Sequence, residues 1–244
     1  MASPGTELSV IIPIYNEEEN IGPLLAELFP VLRDTGKTFE VLCVDDASTD
    51  SSPSVLEEEQ KKYAELRIIR HNINSGESAA GATGFANARG SVIITIDGDQ
   101  QNDPADIPAL LRTLESADAV CGVRRKREDD WVKRISSRVA NKFRNRVTGD
   151  TISDAGCTFR AMKADTLREI PVFNGMHRFL PTLLRLQGYK VVEILVNHRP
   201  RTRGESKYGI GNRMFRGLVD CFAIRWWRRR CVPANRAFPD NRKK

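Results

Sequence analysis

The chain has 244 residues, 40% of them hydrophobic and 29% charged, enough for one large α/β domain with its own core, or for one domain and a short appendage. No apolar stretch approaches the roughly 18–20 residues that span a bilayer, and five scattered cysteines (43, 121, 157, 221 and 231) with only three histidines argue against a disulfide framework, a zinc site or a histidine-based metal centre. The net charge is +6, with acids gathered at Glu17–Glu19 and Asp45–Asp50 and bases crowded into 124–146 and 199–244, an asymmetry that points to a polyanionic or membrane-surface partner on the C-terminal side.

Met1–Glu7 lacks a basic start and a long apolar run, so no secretory leader is expected and the chain is read as cytoplasmic. Leu8–Ile14 is a β-branched run and predicts a buried parallel strand. Glu18–Leu32 follows with helical apolar spacing. Phe39–Val44 predicts a second strand, ending in the polar turn Asp45–Asp50. Ser52–Tyr63 predicts a charged helix and Leu66–Arg70 a third strand. Ser78–Ala88 is small and Ala-rich, a helix packed closely on something. Val92–Ile96 is a strand that runs into Asp97. Ile107–Leu114 predicts a helix and Ala119–Gly122 a strand. This alternation implies a doubly wound, Rossmann-like, mostly parallel sheet.

Beyond Gly122 the pattern changes. Lys126–Asp130 is a charged loop and Trp131–Val147 a basic helix. Short strands are expected at Thr158–Met162 and Lys190–Val196, with a helix near Phe179–Gln187 between them. Asn197–Gly211 is basic and Gly-bearing without a core pattern. Gly211–Arg230 predicts an amphipathic helix, and 231–244 a polar tail.

In an open α/β sheet, ligands bind beyond the carboxyl ends of the strands. Three such ends are acidic here: Tyr15-Asn16-Glu17, Asp45-Asp46 and Asp97-Gly98-Asp99. One such Asp is ordinarily a helix cap; three together point to one crevice. In Asp97-Gly98-Asp99-Gln100-Gln101, Asp97, Asp99 and Gln101 put two carboxylates and an amide at alternate positions after a buried strand, on one face of extended backbone. Hard oxygen ligands of this kind suit Mg²⁺ or Mn²⁺, and Gly98 lets a ligand approach the backbone.

At this point the sequence resembles the family-2 glycosyltransferases of the GT-A nucleotide-diphospho-sugar transferase fold. Within them it resembles the polyprenyl-phosphate sugar transferases typified by dolichol-phosphate mannose synthase. The matching segments are 10–17, 44–50, 74–76, 97–101, 122–124, 154–160 and 201–207, in family order from about Ser9 to Arg230. The resemblance implies that Pro13, Tyr15, Glu17, Val44 and Asp46 hold the nucleoside. Asp97, Asp99 and Gln101 would hold the metal, with Asp97, Gly98 and Asp99 at the donor diphosphate. Arg124 would meet phosphate at the reaction centre. Arg201, Ser206 and Lys207 match a loop that closes over donor and acceptor phosphates, a role that fits basic side chains plus a hydroxyl. Asp154 would orient or deprotonate the acceptor, the alternative being a structural role at a helix end, with Arg160 as its scaffold. Two positions depart from the family: Glu77 stands where members often carry Lys, and Cys157 where some carry an acid.

The implied domain plan is a catalytic unit over 1–210, with a donor half (8–122) and an acceptor half (123–210), then a membrane-surface helix (211–230). The implied reaction is an inverting transfer of a sugar from a GDP- or UDP-sugar to a polyprenyl phosphate. On the helix, Met214, Phe215, Leu218, Val219, Phe222, Trp226 and Trp227 would face the bilayer while the arginines meet anionic headgroups. One competing reading is a family-2 transferase with a soluble saccharide acceptor, which would need no phosphate clamp. Another is a basic nucleic-acid-binding protein, against which stand the acidic crevice and the lack of aromatics interleaved with the basic runs.

Overall fold

The computed structural model of the protein describes residues 5–125, 141–168, 170–201 and 210–232. The predicted loop 126–130, the first part of the basic helix (131–140), residues 202–209 and the tail from 233 lie outside them.

Strands β1 (Leu8–Ile14), β2 (Phe39–Asp45), β3 (Leu66–Arg70), β4 (Val92–Thr95), β5 (Ala119–Arg124), β6 (Arg160–Lys163) and β7 (Val191–Val196) form one sheet in the order β3-β2-β1-β4-β6-β5-β7. All neighbouring pairs are parallel except those of β6, which runs antiparallel to β4 and β5. The two sequence halves therefore interleave: β6, from the acceptor half, sits in the middle of the sheet. Periodicity located that strand and gave no hint of its neighbours or its direction.

Among the described residues seven α-helices flank the sheet: α1 (Glu18–Asp34), α2 (Ser52–Lys62), α3 (Glu77–Asn87), α4 (Ile107–Leu114), helical residues 141–148 (α5), α6 (Leu180–Leu186) and α7 (Ile210–Arg230). Alternate strand residues point to opposite faces. Val10, Ile12 and Ile14 join the cluster under α1, α2 and α4. Ile11, Leu42 and Ile93 join the cluster under α3, α6 and α7. Four cysteines are buried within this packing and Cys231 is half-buried; burial pushes the Cys43 thiol up to about 12. They behave as small apolar side chains, as composition implied.

The Ala-rich α3 lies on β1 and β2. Its closeness is set at Gly84, where a Cβ would stand 2.4 Å from Ile11 Cγ2. The small residues of this helix are what let its amino end reach the carboxyl ends of the strands.

α7 is two-sided. Cys221 and Ile224 are buried and Trp227 packs against the same cluster. Leu218, Val219, Phe222 and Trp226 are exposed, the last at 61%. The expected single apolar face is thus divided, with Trp227 on the core side. Arg228 Nη1 donates to Thr148 O and so ties α7 to α5.

Gly84→Ala is expected to lose about 1–3 kcal/mol through the forced shift against Ile11, although alanine is the better helix former by roughly 1 kcal/mol. Urea unfolding of the two proteins measures the difference.

Candidate active site

The crevice is built where β1, β2 and β4 end. Asn16 N–H donates to Ser48 Oγ (2.9 Å) and Glu17 N–H to Ser52 Oγ (2.8 Å), stitching the loop after β1 to the loop after β2. Asn16, Ala47 and Gln100 hold positive φ (52°, 60° and 61°), the only non-glycine residues to do so among the described residues. All three flank this crevice. Left-handed backbone in ordinary residues marks a conformation that surrounding bonds must enforce.

A cleft of about 580 Å³ opens here. Pro13, Tyr15, Glu17 and Asp46 line it from the first two strand ends, and Asp97, Gly98, Asp99 and Gln101 from the third. Arg124 and Arg201 line it from the acceptor half. Val44 does not: it is fully buried in β2, paired in register with Pro13. Ser206 and Lys207 lie outside the described residues. A second hollow, about 650 Å³, lies at the amino end of β4 between Phe85, Ile93 and Leu167 and contains none of the residues singled out above.

Asp46 lines the cleft and braces its edge. Its carboxylate accepts from Ser75 N–H (3.0 Å) and Gly76 N–H (2.6 Å) and meets His71 Nδ1 at 2.6 Å. It therefore fixes the turn that precedes Glu77. Gly98 also has a reason that the sequence did not show: a Cβ there would stand 2.9 Å from Ile14 Cδ1. The close approach it permits is that of β1.

Burial, then the neighbouring Asp99, pushes the Asp97 carboxyl up to about 6, against the charges of Arg160 and Arg124. Burial also raises Asp99, against the Gln101 N–H, Arg201 and His198. Two adjacent carboxylates whose ionisation is resisted in this way fit a hard divalent cation, which would favour the ionised pair. No group of three or more His, Cys, Asp or Glu side chains is set to hold a metal alone among the described residues. That pattern is usual for Mg²⁺, which takes one or two carboxylates and leaves its other positions to phosphate and water. The Gln101 side chain donates from Nε2 to Arg199 O at 3.3 Å, so its Oε1 is the atom left for such an ion.

Facing these acids are three guanidinium groups, each held by a carboxylate. Arg124 donates from Nε and Nη2 to the two oxygens of Asp154, both at 2.7 Å. Arg201 Nη2 reaches Glu17 Oε1 at 2.8 Å. Arg178 Nη2 reaches Asp220 Oδ2 at 3.2 Å. Asp154 is 8% exposed and is not part of the cleft wall; it acts on the cleft through Arg124. Gly156 makes room for that pair, since a Cβ there would stand 3.0 Å from Arg124 Nη2. Arg160 does not scaffold Asp154. It is buried beside Asp97, donates from Nη1 to His177 O, and keeps Nε and Nη2 without a hydrogen-bond partner among the described residues.

Sequence reasoning missed His177, Arg178 and His198. The first two line the cleft from the 3-10 turn Met176–Arg178. His198 forms an isolated bridge with Asn102 and lies near enough to Asp99 to lower its carboxyl. The available signal was His177-Arg178, a polar pair interrupting an otherwise apolar segment.

The sequence profile described as glycosyl transferase family 2 matches residues 9–171. The chain is 35% identical over 233 residues to a dodecaprenyl-phosphate galacturonate synthase of Rhizobium johnstonii, covering 91% of this chain and 68% of that protein. It is 35% identical over 205 residues to an undecaprenyl-phosphate 4-deoxy-4-formamido-L-arabinose transferase of Edwardsiella ictaluri, covering 83% of this chain and 63% of that one. Among solved structures, glucosyl-3-phosphoglycerate synthase from Mycobacterium tuberculosis with Mn²⁺ and UDP-glucose superposes with a TM-score of 0.69 at 18% identity, over 90% of this chain and 79% of that one. A mannosyltransferase from Pyrobaculum calidifontis with GDP-Man and Mn²⁺ gives 0.64 at 21% identity, over 91% and 64%. These likenesses agree with the observed sheet in assigning the α/β GT-A fold.

In the metal-free protein a charged Asp97 costs stability above the folded carboxyl's value of about 6, and that cost shrinks as the carboxyl takes up a proton below it. Asp97→Asn is therefore expected to melt above the parent at pH 7.5. The margin should narrow toward pH 4.5 in paired thermal scans with chelator present.

Proposed function

The chain belongs to glycosyl transferase family 2, and on that premise we propose that it transfers a sugar from a nucleoside diphosphate to a polyprenyl phosphate, with inversion at the anomeric carbon. The observation that carries this reading is the single cleft in which Asp97 and Asp99 face Arg124, Arg178 and Arg201. The acceptor class follows from the relatives, whose names place both on prenyl phosphates. The chain spans about two thirds of their lengths, so the activity of the whole protein remains a proposal.

Mg²⁺ or Mn²⁺ held by Asp97 and Asp99, with Gln101 beside them, would supply Lewis-acid stabilisation of the departing diphosphate. Tyr15, Pro13 and the Asp46-braced turn form the wall for the nucleoside. A phosphate monoester has its second pKa near about 6, so the acceptor is mostly dianionic at neutral pH and needs no strong base. Its oxygen bonds to the anomeric carbon as the carbon–oxygen bond to the nucleoside diphosphate breaks, and the leaving group keeps the electron pair. Two phosphate-bearing substrates bring more negative charge than one divalent ion can balance, and the two carboxylates that hold the ion add to it. Arg124, aimed by Asp154, and Arg201, aimed by Glu17, are set to offset it with fixed geometry. A neutral saccharide acceptor would leave that positive charge without a purpose.

No helix among the described residues is long and apolar enough to cross a membrane. The outer face of α7 is the proposed contact with the lipid surface that carries the acceptor. Leu218, Val219, Phe222 and Trp226 lie together there, with Arg225, Arg229 and Arg230 exposed around them. This is the charge pattern that an anionic bilayer attracts, at about 1 kcal/mol for each basic residue near the surface.

With GDP- and UDP-sugars and Mn²⁺, nucleoside diphosphate release is expected to require a short polyprenyl phosphate. Asp99→Ala should cut that release by roughly 100-fold or more. Release indifferent to the lipid phosphate would move the acceptor to a soluble saccharide. The protein should float with anionic vesicles at low salt and be freed by high salt; Phe222→Glu should weaken flotation without loss of fold.

A further inference from the structure

We infer that Arg178 binds the acceptor phosphate and that Asp220, on α7, is the positioning residue that holds it for that role. The inference rests on the polyprenyl-phosphate reading and goes beyond it by assigning a capture residue and tying it to the helix proposed to meet the lipid.

Arg178 lines the cleft and reaches α7. Its guanidinium runs between the 3-10 turn and that helix in a slot with glycine on both walls. A Cβ at Gly175 would stand 2.7 Å from Arg178 Nη2 and 2.9 Å from Asp220 Oδ2. A Cβ at Gly217 would stand 3.5 Å from Arg178 Nη1. Asp220 takes only Nη2, at 3.2 Å. Nε is buried without a hydrogen-bond partner among the described residues, while the side chain as a whole keeps 29% exposure. A guanidinium held at one edge, with donors left over and one face in a cleft, matches the geometry of phosphate binding by arginine.

The position selects the acceptor over the donor. The nucleoside wall, at Tyr15, Asp46 and Asn74, comes from the first two strand ends and the turn before α3, whereas Arg178 and Asp220 come from the acceptor half and α7. Leu218, in the exposed apolar face, is two residues from Asp220, about 3 Å along the helix axis and on the other side of it. A prenyl phosphate whose chain lies in the surface beneath α7 brings its headgroup to that edge of the cleft first. The turn that bears Arg178 is also fixed from below: Ser78 Oγ accepts from Gly175 N–H (3.0 Å) and lies 2.8 Å from His177 Nδ1. Arg178 is thus clamped between α3 and α7.

The test uses the full chain, a water-soluble short-chain prenyl phosphate and three variants: Arg178→Ala, Arg178→Lys and Asp220→Asn. Acceptor KM and direct calorimetric binding of the prenyl phosphate are read beside donor Kd. Arg178→Ala should raise acceptor KM and Kd about tenfold or more, with donor Kd within about twofold. Arg178→Lys should recover part of the loss, because charge returns without the fork. Asp220→Asn should shift acceptor KM the same way by less. Unchanged acceptor KM and Kd in Arg178→Ala, or an equal rise in donor Kd, would overturn the assignment. Prenyl phosphate binding that depends on Arg178 in a protein that transfers no sugar would keep the assignment and reject the transferase reading. Failure of vesicle flotation with an intact Arg178 effect would remove only the lipid role of α7.

Discussion

Ionising a carboxylate inside a protein carries a desolvation cost that only neighbouring dipoles and cations can offset. Asp97, at the buried end of β4, imposes that cost on the centre of this fold. Part of the offset comes from more than sixty positions away in sequence: Arg160, delivered by β6. Antiparallel pairing sets Thr95 opposite Arg160, and Thr95 Oγ1 donates to Thr158 O. Had β6 joined the edge of the sheet, Asp97 would lose the buried charge of Arg160 and keep only that of Arg124.

The same arrangement explains why the cleft is rich in tethered arginines. A loose arginine would collapse onto Asp97 or Asp99. One already held by its own carboxylate stays in place and still offers donors to a phosphate. Arg124, Arg178 and Arg201 each have such a holder, in Asp154, Asp220 and Glu17. Asp154, whose motif implied a place near the acceptor, is buried in a two-pronged pair with Arg124. Electrostatic stabilisation works best when dipoles and charges need no reorganisation as charge moves, and these pairs are already arranged.

The behaviour of α7 follows from its dual packing. Cys221, Ile224 and Trp227 seat it on the core, and Asp220 and Arg228 fasten it to the acceptor half. A helix anchored this firmly on one side can present apolar residues on the other without rolling them inward. The helix thus has one face packed on the core and an exposed apolar face opposite it.

The sequence by itself determined the alternation of strands and helices, the acidic strand ends, the Asp97-Gly98-Asp99-Gln100-Gln101 segment and the amphipathic C-terminal stretch. Each is written in local order, as a run, a period or a short spacing, and local order is what fixes which way neighbouring side chains point. The tertiary structure alone decided the place of β6, the burial of Val44, the pairing of Arg124 with Asp154, and the arrival of Arg178 and His198 at the cleft. Those facts depend on strand order and on contacts between residues far apart in the chain. Pairing across a sheet is chosen by the packing of whole faces, and nothing in the spacing around residues 154–160 or 175–178 encodes which partner they will meet.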